Sequence, residues 1–167
     1  MTTPSPAGYR FSQIALHWLV AFVVLFLFVT GDNMTQVFRA GLKAQPTDAS
    51  WAWVPIHIAA GLVVLAAMLW RLGLRRQFGA LAPPETEPAP LRWLASAVHV
   101  GLYLDLIGAA IVGLLAYFWF PSLAGVHELL SRAVLIGLAL LHIAGALWHE
   151  LYWGDNVLTR MVKPARD

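Results

Sequence analysis

The sequence contains no cysteine. That absence removes disulfides, thiolate ligation of iron–sulfur clusters, a nucleophilic thiol and the C-x-x-C-H attachment of a covalent haem, so any cofactor must be held without thioether links. Charge is also scarce, with 12% charged residues against 59% hydrophobic ones and a mean hydropathy of +0.67. A soluble helical core of this size would need polar outer faces on its helices, and the long apolar runs have almost none. The composition is that of an integral membrane protein. The net charge of +2 and pI near 9.3 would suggest a nucleic-acid partner only if the basic residues clustered on one soluble face. They collect instead at the ends of apolar runs, which excludes nucleic acid and marks membrane orientation.

What is present is four apolar runs that meet the length of about 20 residues demanded by a bilayer core of about 30 Å. They cover roughly residues 11–30, 54–70, 93–120 and 128–153 of a single domain spanning 1–167. The stretch GDNMTQVFRAGLKAQPTDAS reads as a turn-rich connection, FGALAPPETEPAP as a proline-rich linker that cannot continue a helix, and FPSLAG as a short third loop. The first run lacks a clear small-residue cleavage site and is followed by three more, so it is expected to be a mature helix and not a signal peptide. Arg10, Arg71, Arg75, Arg76, Arg92, Arg160, Lys163 and Arg166 fall on one side, and Arg39, Lys43 and Arg132 on the other. Both termini are therefore predicted to face the cytoplasm. The expected fold is an all-α integral membrane four-helix bundle.

Six histidines stand out against this apolar background. Ionisable groups at membrane depth are costly and are kept mainly where the bundle interior binds them. With 1.5 Å of rise per residue, each can be assigned a depth. His17 lies about two turns inside the first helix, at its cytoplasmic end. His57 lies at the opposite end, just inside the second helix, after Pro55, which suits a first helical turn. The fourth run returns toward the cytoplasm, so His127 shares the depth of His57 and His142 that of His17. Fifteen residues separate His127 from His142, about 22 Å of helix, so one metal ion cannot bind both. Two layers of facing imidazoles without an adjacent carboxylate or thiol match axial ligation of haem iron. Zinc fits less well, because it usually takes four ligands and no H-E-x-x-H motif follows His127. Gly61 and Gly145, each about one turn from a histidine, leave room for a flat macrocycle, although glycine also serves plain helix packing.

Other polar residues have two readings each. His99, in the cytoplasmic layer of the third run, is a rival inner ligand or a hydrogen-bonded neighbour of an inner haem or quinone. His149 approaches the headgroups and reads as an interfacial, solvated side chain. Asp105 is the only carboxylate well inside a run, so it is a candidate for proton uptake or for a structural hydrogen bond.

These residues lie in segments that resemble the bacterial cytochrome b561 family, four-helix di-haem membrane cytochromes whose best understood type is superoxide oxidase. The resemblance runs over nearly the whole chain. It rests on RFSQIALHWLV, IHIAAGLVVLAAMLWRL, HVGLYL, VHELL and the closing LLHIAGALWHELYWGDNVLTRM. It implies two haem b groups, with His17 and His142 as the cytoplasmic-side axial pair and His57 and His127 as the periplasmic-side pair; the family histidine matching His99 is not a ligand. The family pattern has one residue fewer between the fourth-helix ligands, so in a regular helix His127 would be rotated by about 60° from the face of His142. A π-bulge or an earlier helix start would absorb the difference. The family's mid-helix proline in the third run is replaced here near Ala110.

With both axial positions filled, outer-sphere electron transfer is the chemistry that remains. Arg10, Ser12 and Gln13 on one side, and Arg39 or Ser50 on the other, are candidate haem-propionate partners or solvated anchors. The resemblance implies an oxidoreductase that passes electrons from periplasmic superoxide to ubiquinone, with Arg39 and Lys43 placed to attract a small anion. Asp32, Asp48 and Glu128 offset much of that field. The alternatives are a cytochrome b subunit linking a dehydrogenase or periplasmic cytochrome to the quinone pool, and a haem-free membrane scaffold.

Overall fold

The computed structural model describes residues 8–79 and 87–164; most of the proline-rich linker, and Arg166, lie outside them. Among the described residues the chain is helical throughout. Four long helices are each apolar enough to cross a membrane: α1 (Phe11–Lys43), α2 (Trp53–Phe78), α3 (Ala89–Phe118) and α4 (Pro121–Trp153). A short α5 (Val157–Arg160) follows. Only helices and closed barrels satisfy every backbone polar group in lipid, and the connections here are short, so successive helices run antiparallel. The all-α membrane bundle expected from the sequence is what the chain forms.

The helices are longer than the apolar runs. α1 does not stop near Thr30 but continues through Gly31, Asp32 and Asn33 to Lys43, ending at Ala44 in the left-handed conformation. The turn-rich expectation for this stretch fails because the weak helix formers Gly31, Asp32 and Asn33 occupy less than one turn, and the residues beyond them recover a buried face. Val37 is 1% exposed and Ala40 is also buried, while Phe38 packs beside Tyr117 at the end of α3. Gly41 makes room for Trp51, whose ring would sit 3.2 Å from a Cβ there. At 33 residues, α1 is about 50 Å long and protrudes well past a bilayer core of about 30 Å. α2 likewise runs past Trp70 to Phe78, taking Arg71, Arg75 and Arg76 into its last turns, where cations suit the helix dipole. α4 begins at Pro121 with a single 3-10 turn, so His127 sits inside the helix and not ahead of it.

Two π-helical turns interrupt α4, at Leu130–Val134 and at His149–Trp153. The first lies between His127 and His142 and absorbs the extra residue in that spacing. The second, followed by Gly154 and Asn156 in left-handed conformations, turns the chain back toward the bundle.

Packing is concentrated in a narrow interior. Leu16, Val20, Val64, Ala67 and Met68 form a buried cluster, with Tyr103, Leu106 and Ile107 of α3 against it. The outer surface carries exposed Phe22, Val29, Leu104 and Leu140, as expected of lateral faces solvated by acyl chains. Polar contacts tie the bundle at its two ends. At the end shared by the α1 N-terminus and the C-terminal segment, Arg71 donates to the Gln13 carbonyl at 3.2 Å, and Trp18 Nε1 donates to the Met161 carbonyl at 2.8 Å. At the other end, Arg39 pairs with Glu128 at 3.0 Å and Arg132 pairs with Asp32, both joining α1 to α4. Because the chain lacks cysteine, an introduced thiol is unique. Lys43→Cys and Lys163→Cys are expected to react with an impermeant maleimide from opposite faces of sealed membrane vesicles. Labelling of both from one face would contradict this topology.

Candidate cofactor site

The interior brings four of the six histidines together as two facing pairs. His57 of α2 and His127 of α4 have ring centroids 6.3 Å apart at the end of the bundle holding Arg39. His17 of α1 and His142 of α4 have centroids 6.0 Å apart toward the other end. A metal about 2 Å from a nitrogen of each imidazole, with roughly 1 Å from nitrogen to ring centre, calls for centroids about 6 Å apart. Both pairs meet that spacing. Among the described residues no group of three or more histidine and carboxylate side chains is placed to hold a bare metal ion.

Local structure orients these rings. His127 Nδ1 donates to the Ala109 carbonyl at 2.9 Å, which fixes the tautomer and leaves Nε2 free for a metal. His57 Nδ1 is buried with no hydrogen-bond partner. Buried polar atoms are normally paired, so this orphan marks a place where the interior is organised for something other than protein. Beside the pair lies a cavity of about 390 Å³ bounded by all four long helices. Its walls are largely apolar, with Gly61 and Gly113 among them and Arg39 and Arg132 at its polar margin. No atom lies within 4 Å of a Cβ built on Gly61 or Gly145, so both leave open space. The residues present fit a flat, apolar macrocycle with axial imidazoles.

Gly113 is a site residue that sequence reasoning missed. A Cβ there would lie 2.8 Å from Cε1 and 2.9 Å from Nδ1 of His127, so the missing side chain is the space the imidazole occupies. No local signal distinguishes this glycine from the packing glycines along α3, because its partner is on another helix.

The accessory residues are placed as follows. His99 Nδ1 donates to the Ala95 carbonyl at 2.7 Å, and its ring stands edge-on to His142 with centroids 5.1 Å apart. That separation is short of what a shared metal needs, so His99 sits as a neighbour of the inner pair. Arg10 lies over the Phe78 ring at 4.3 Å, and its backbone N–H donates to the Gln13 side chain at 3.0 Å. Arg39 is engaged by Glu128, and Ser50 exchanges backbone hydrogen bonds with the Asn33 side chain. Asp105 is 5% exposed, and among the described residues neither carboxyl oxygen has a hydrogen-bond partner.

His149 requires a correction. It is not a solvated interfacial side chain: Nδ1 meets the Asp155 carboxylate at 2.9 Å, Nε2 meets Glu87 at 3.4 Å, and Glu87 itself is buried. The π-helical turn and the left-handed residues after it return Asp155 to His149, whose carbonyl also accepts the Asp155 N–H at 3.2 Å. Neither carboxylate could be assigned to it from helix periodicity, since one precedes α3 and the other follows a reversal.

The class these features define is a helical bundle able to span a membrane, with imidazoles facing one another in pairs, an architecture that suits a membrane-embedded haem protein. A model of the prokaryotic cytochrome b561 family matches residues 8–164, and the chain belongs to that family. It is a haem-binding, multi-pass membrane cytochrome b that functions in electron transfer. The chain is also similar to cytochrome b562 of Cereibacter sphaeroides, at 32% identity over 158 residues that cover 94% of this chain and 96% of the relative. Family membership sets aside the haem-free scaffold. Gly113→Ala is expected to displace His127 and, with an overpacking cost of about 1–3 kcal/mol, to weaken haem retention about tenfold or more. Haem titration of the apoprotein checks this, and wild-type affinity in the variant would contradict it.

Proposed function

We propose that the chain holds two haem b groups, one between His57 and His127 and one between His17 and His142, and carries electrons across a bacterial inner membrane to the ubiquinone pool. The observation that carries this reading is the pair of imidazole spacings near 6 Å in two layers of one bundle. The b-type name of the Cereibacter sphaeroides relative supports it, as does the lack of any cysteine for a thioether link. Bound haem supplies one-electron ferric–ferrous chemistry. His57 with His127, and His17 with His142, would hold the haems from both faces, and with no vacant coordination site the chemistry supplied would be outer-sphere electron transfer. The walls are largely apolar, and the hydrogen bond from Nδ1 to the Ala109 carbonyl orients the His127 ring. Arg39 and Arg132, at the margin of the outer cavity, are the cations nearest to where haem carboxylates would emerge. The bias of Lys and Arg supports a cytoplasmic position for the end holding Arg71, Arg75, Arg76 and Arg92.

For the donor, the family resemblance supports periplasmic superoxide. A specific observation favours the second reading, in which a dehydrogenase or periplasmic cytochrome delivers the electron: Arg39 and Arg132 are both paired with carboxylates. Paired charges focus little field on a diffusing anion. Protein in nanodiscs, given a superoxide generator and a short-chain ubiquinone, is expected to reduce the quinone with no second protein. A need for a copurifying dehydrogenase or cytochrome would establish the second reading instead.

Haem quantification tests the ligand assignment. Wild-type protein from haem-replete cells is expected to hold two haem b per chain, and alanine at His17, His57, His127 or His142 to lose at least one. Alanine at His99 is expected to keep both. A wild-type stoichiometry of one would overturn the two-site reading.

A further inference from the structure

Asp105 is an unpartnered carboxyl between the two histidine layers, and the electron-transfer reading does not use it. It lies six residues after His99, which neighbours the inner pair, and eight before Gly113, which houses the outer ring. Along α3 these separations are about 9 Å and 12 Å. Asp105 and Ala109 are both buried on one face of α3, and the Ala109 carbonyl receives the His127 proton. The carboxyl is thus fixed within a few turns of both proposed haems while making no hydrogen bond of its own.

An isolated carboxylate in an apolar interior is strongly disfavoured, and such a group becomes neutral unless a nearby positive charge compensates it. Among the described residues no side chain bonds to Asp105. On α2 the flanking ionisable groups are His57 outward and Arg71 inward, and Arg71 donates to the Gln13 carbonyl. On α4 they are His127 and Arg132 outward and His142 inward, with Arg132 taken by Asp32. α1 contributes His17 inward and Asp32 outward, and α3 itself His99 and Tyr103. A ferric bis-imidazole haem is the remaining source of positive charge at this depth, and that charge disappears when the iron gains an electron.

We infer that Asp105 is a redox-linked proton acceptor: its carboxylate is compensated by oxidised haem and takes one proton when a haem takes one electron. The inference rests on the haem sites proposed above. In balance, the donor supplies one electron that converts ferric to ferrous iron, and water at the membrane surface supplies one proton that converts the Asp105 carboxylate to the acid. No bond to the haem forms or breaks. Electron entry is then accompanied by local charge neutralisation, which suits delivery to a quinone that needs protons as well as electrons.

The test is spectroelectrochemistry of the full chain in nanodiscs across a range of pH, with reduced-minus-oxidised infrared difference spectra on the same samples. Wild-type protein is expected to show at least one haem potential that falls as pH rises, and a protonated-carboxyl band that grows on reduction. Asp105→Asn, retaining both haems, is expected to lose the pH slope and the band. Asp105→Glu is expected to keep the slope and move the band. A pH-independent wild-type potential would overturn the inference, as would an Asn variant with the wild-type slope and band. Should the Asn variant fail to retain haem, an unmoved band in Asp105→Glu would overturn it equally. One haem per chain in the wild type would refute the two-site reading alone, since the slope and band can still be read from a single haem.

Discussion

The structure is organised by the placement of imidazoles on separate membrane helices so that they face each other across a gap of metal-ligand width. A histidine inside a bilayer has unfavourable solvation unless its ring nitrogens are engaged; here Nδ1 of His127 is bonded to the Ala109 carbonyl, and Nδ1 of His57 is buried without a partner among the described residues. The two spacings, 6.0 Å and 6.3 Å, require that α4 meet α1 at one depth and α2 at another. Four antiparallel helices with short connections provide that geometry, because each helix crosses both layers.

Several local features exist to keep these faces in register. The π-helical turn at Leu130–Val134 adjusts the rotation of α4 between its two histidines. Gly113 removes the one side chain that would occupy the place of the His127 ring. The two α1–α4 ion pairs join the helices at the end of the bundle that holds the C-terminus of α1. At the opposite end, the C-terminal reversal brings Asp155 onto His149, and buried Glu87 approaches the same ring from the start of α3. Exposed ion pairs contribute little stability in water, about 0–1 kcal/mol. Their value here lies in setting direction and register.

Much of this was legible in the sequence because membrane depth is nearly one-dimensional. Apolar length locates the crossings, residue count converts to height, and antiparallel order decides which histidines share a level; His17, His57, His127 and His142 were paired on that basis. Helix ends were less legible. The stretch after Thr30 carries glycine, aspartate and asparagine, and what sustains the helix is the burial of Val37 and Ala40 and the contact of Phe38 with Tyr117 of α3. Lateral contacts were not legible at all. The engagement of Arg39 by Glu128, of Arg132 by Asp32, and of His149 by Glu87 and Asp155 depends on rotations about helix axes that residue counting does not supply.

Whether each iron is clasped by two imidazoles is the claim on which the account stands. Electron paramagnetic resonance of the oxidised, detergent-solubilised protein reads it most directly. Two low-spin ferric signals of comparable intensity, with no high-spin component, are the expected result. A substantial high-spin signal, or a single low-spin species accounting for all the iron, would contradict paired axial histidines in both layers.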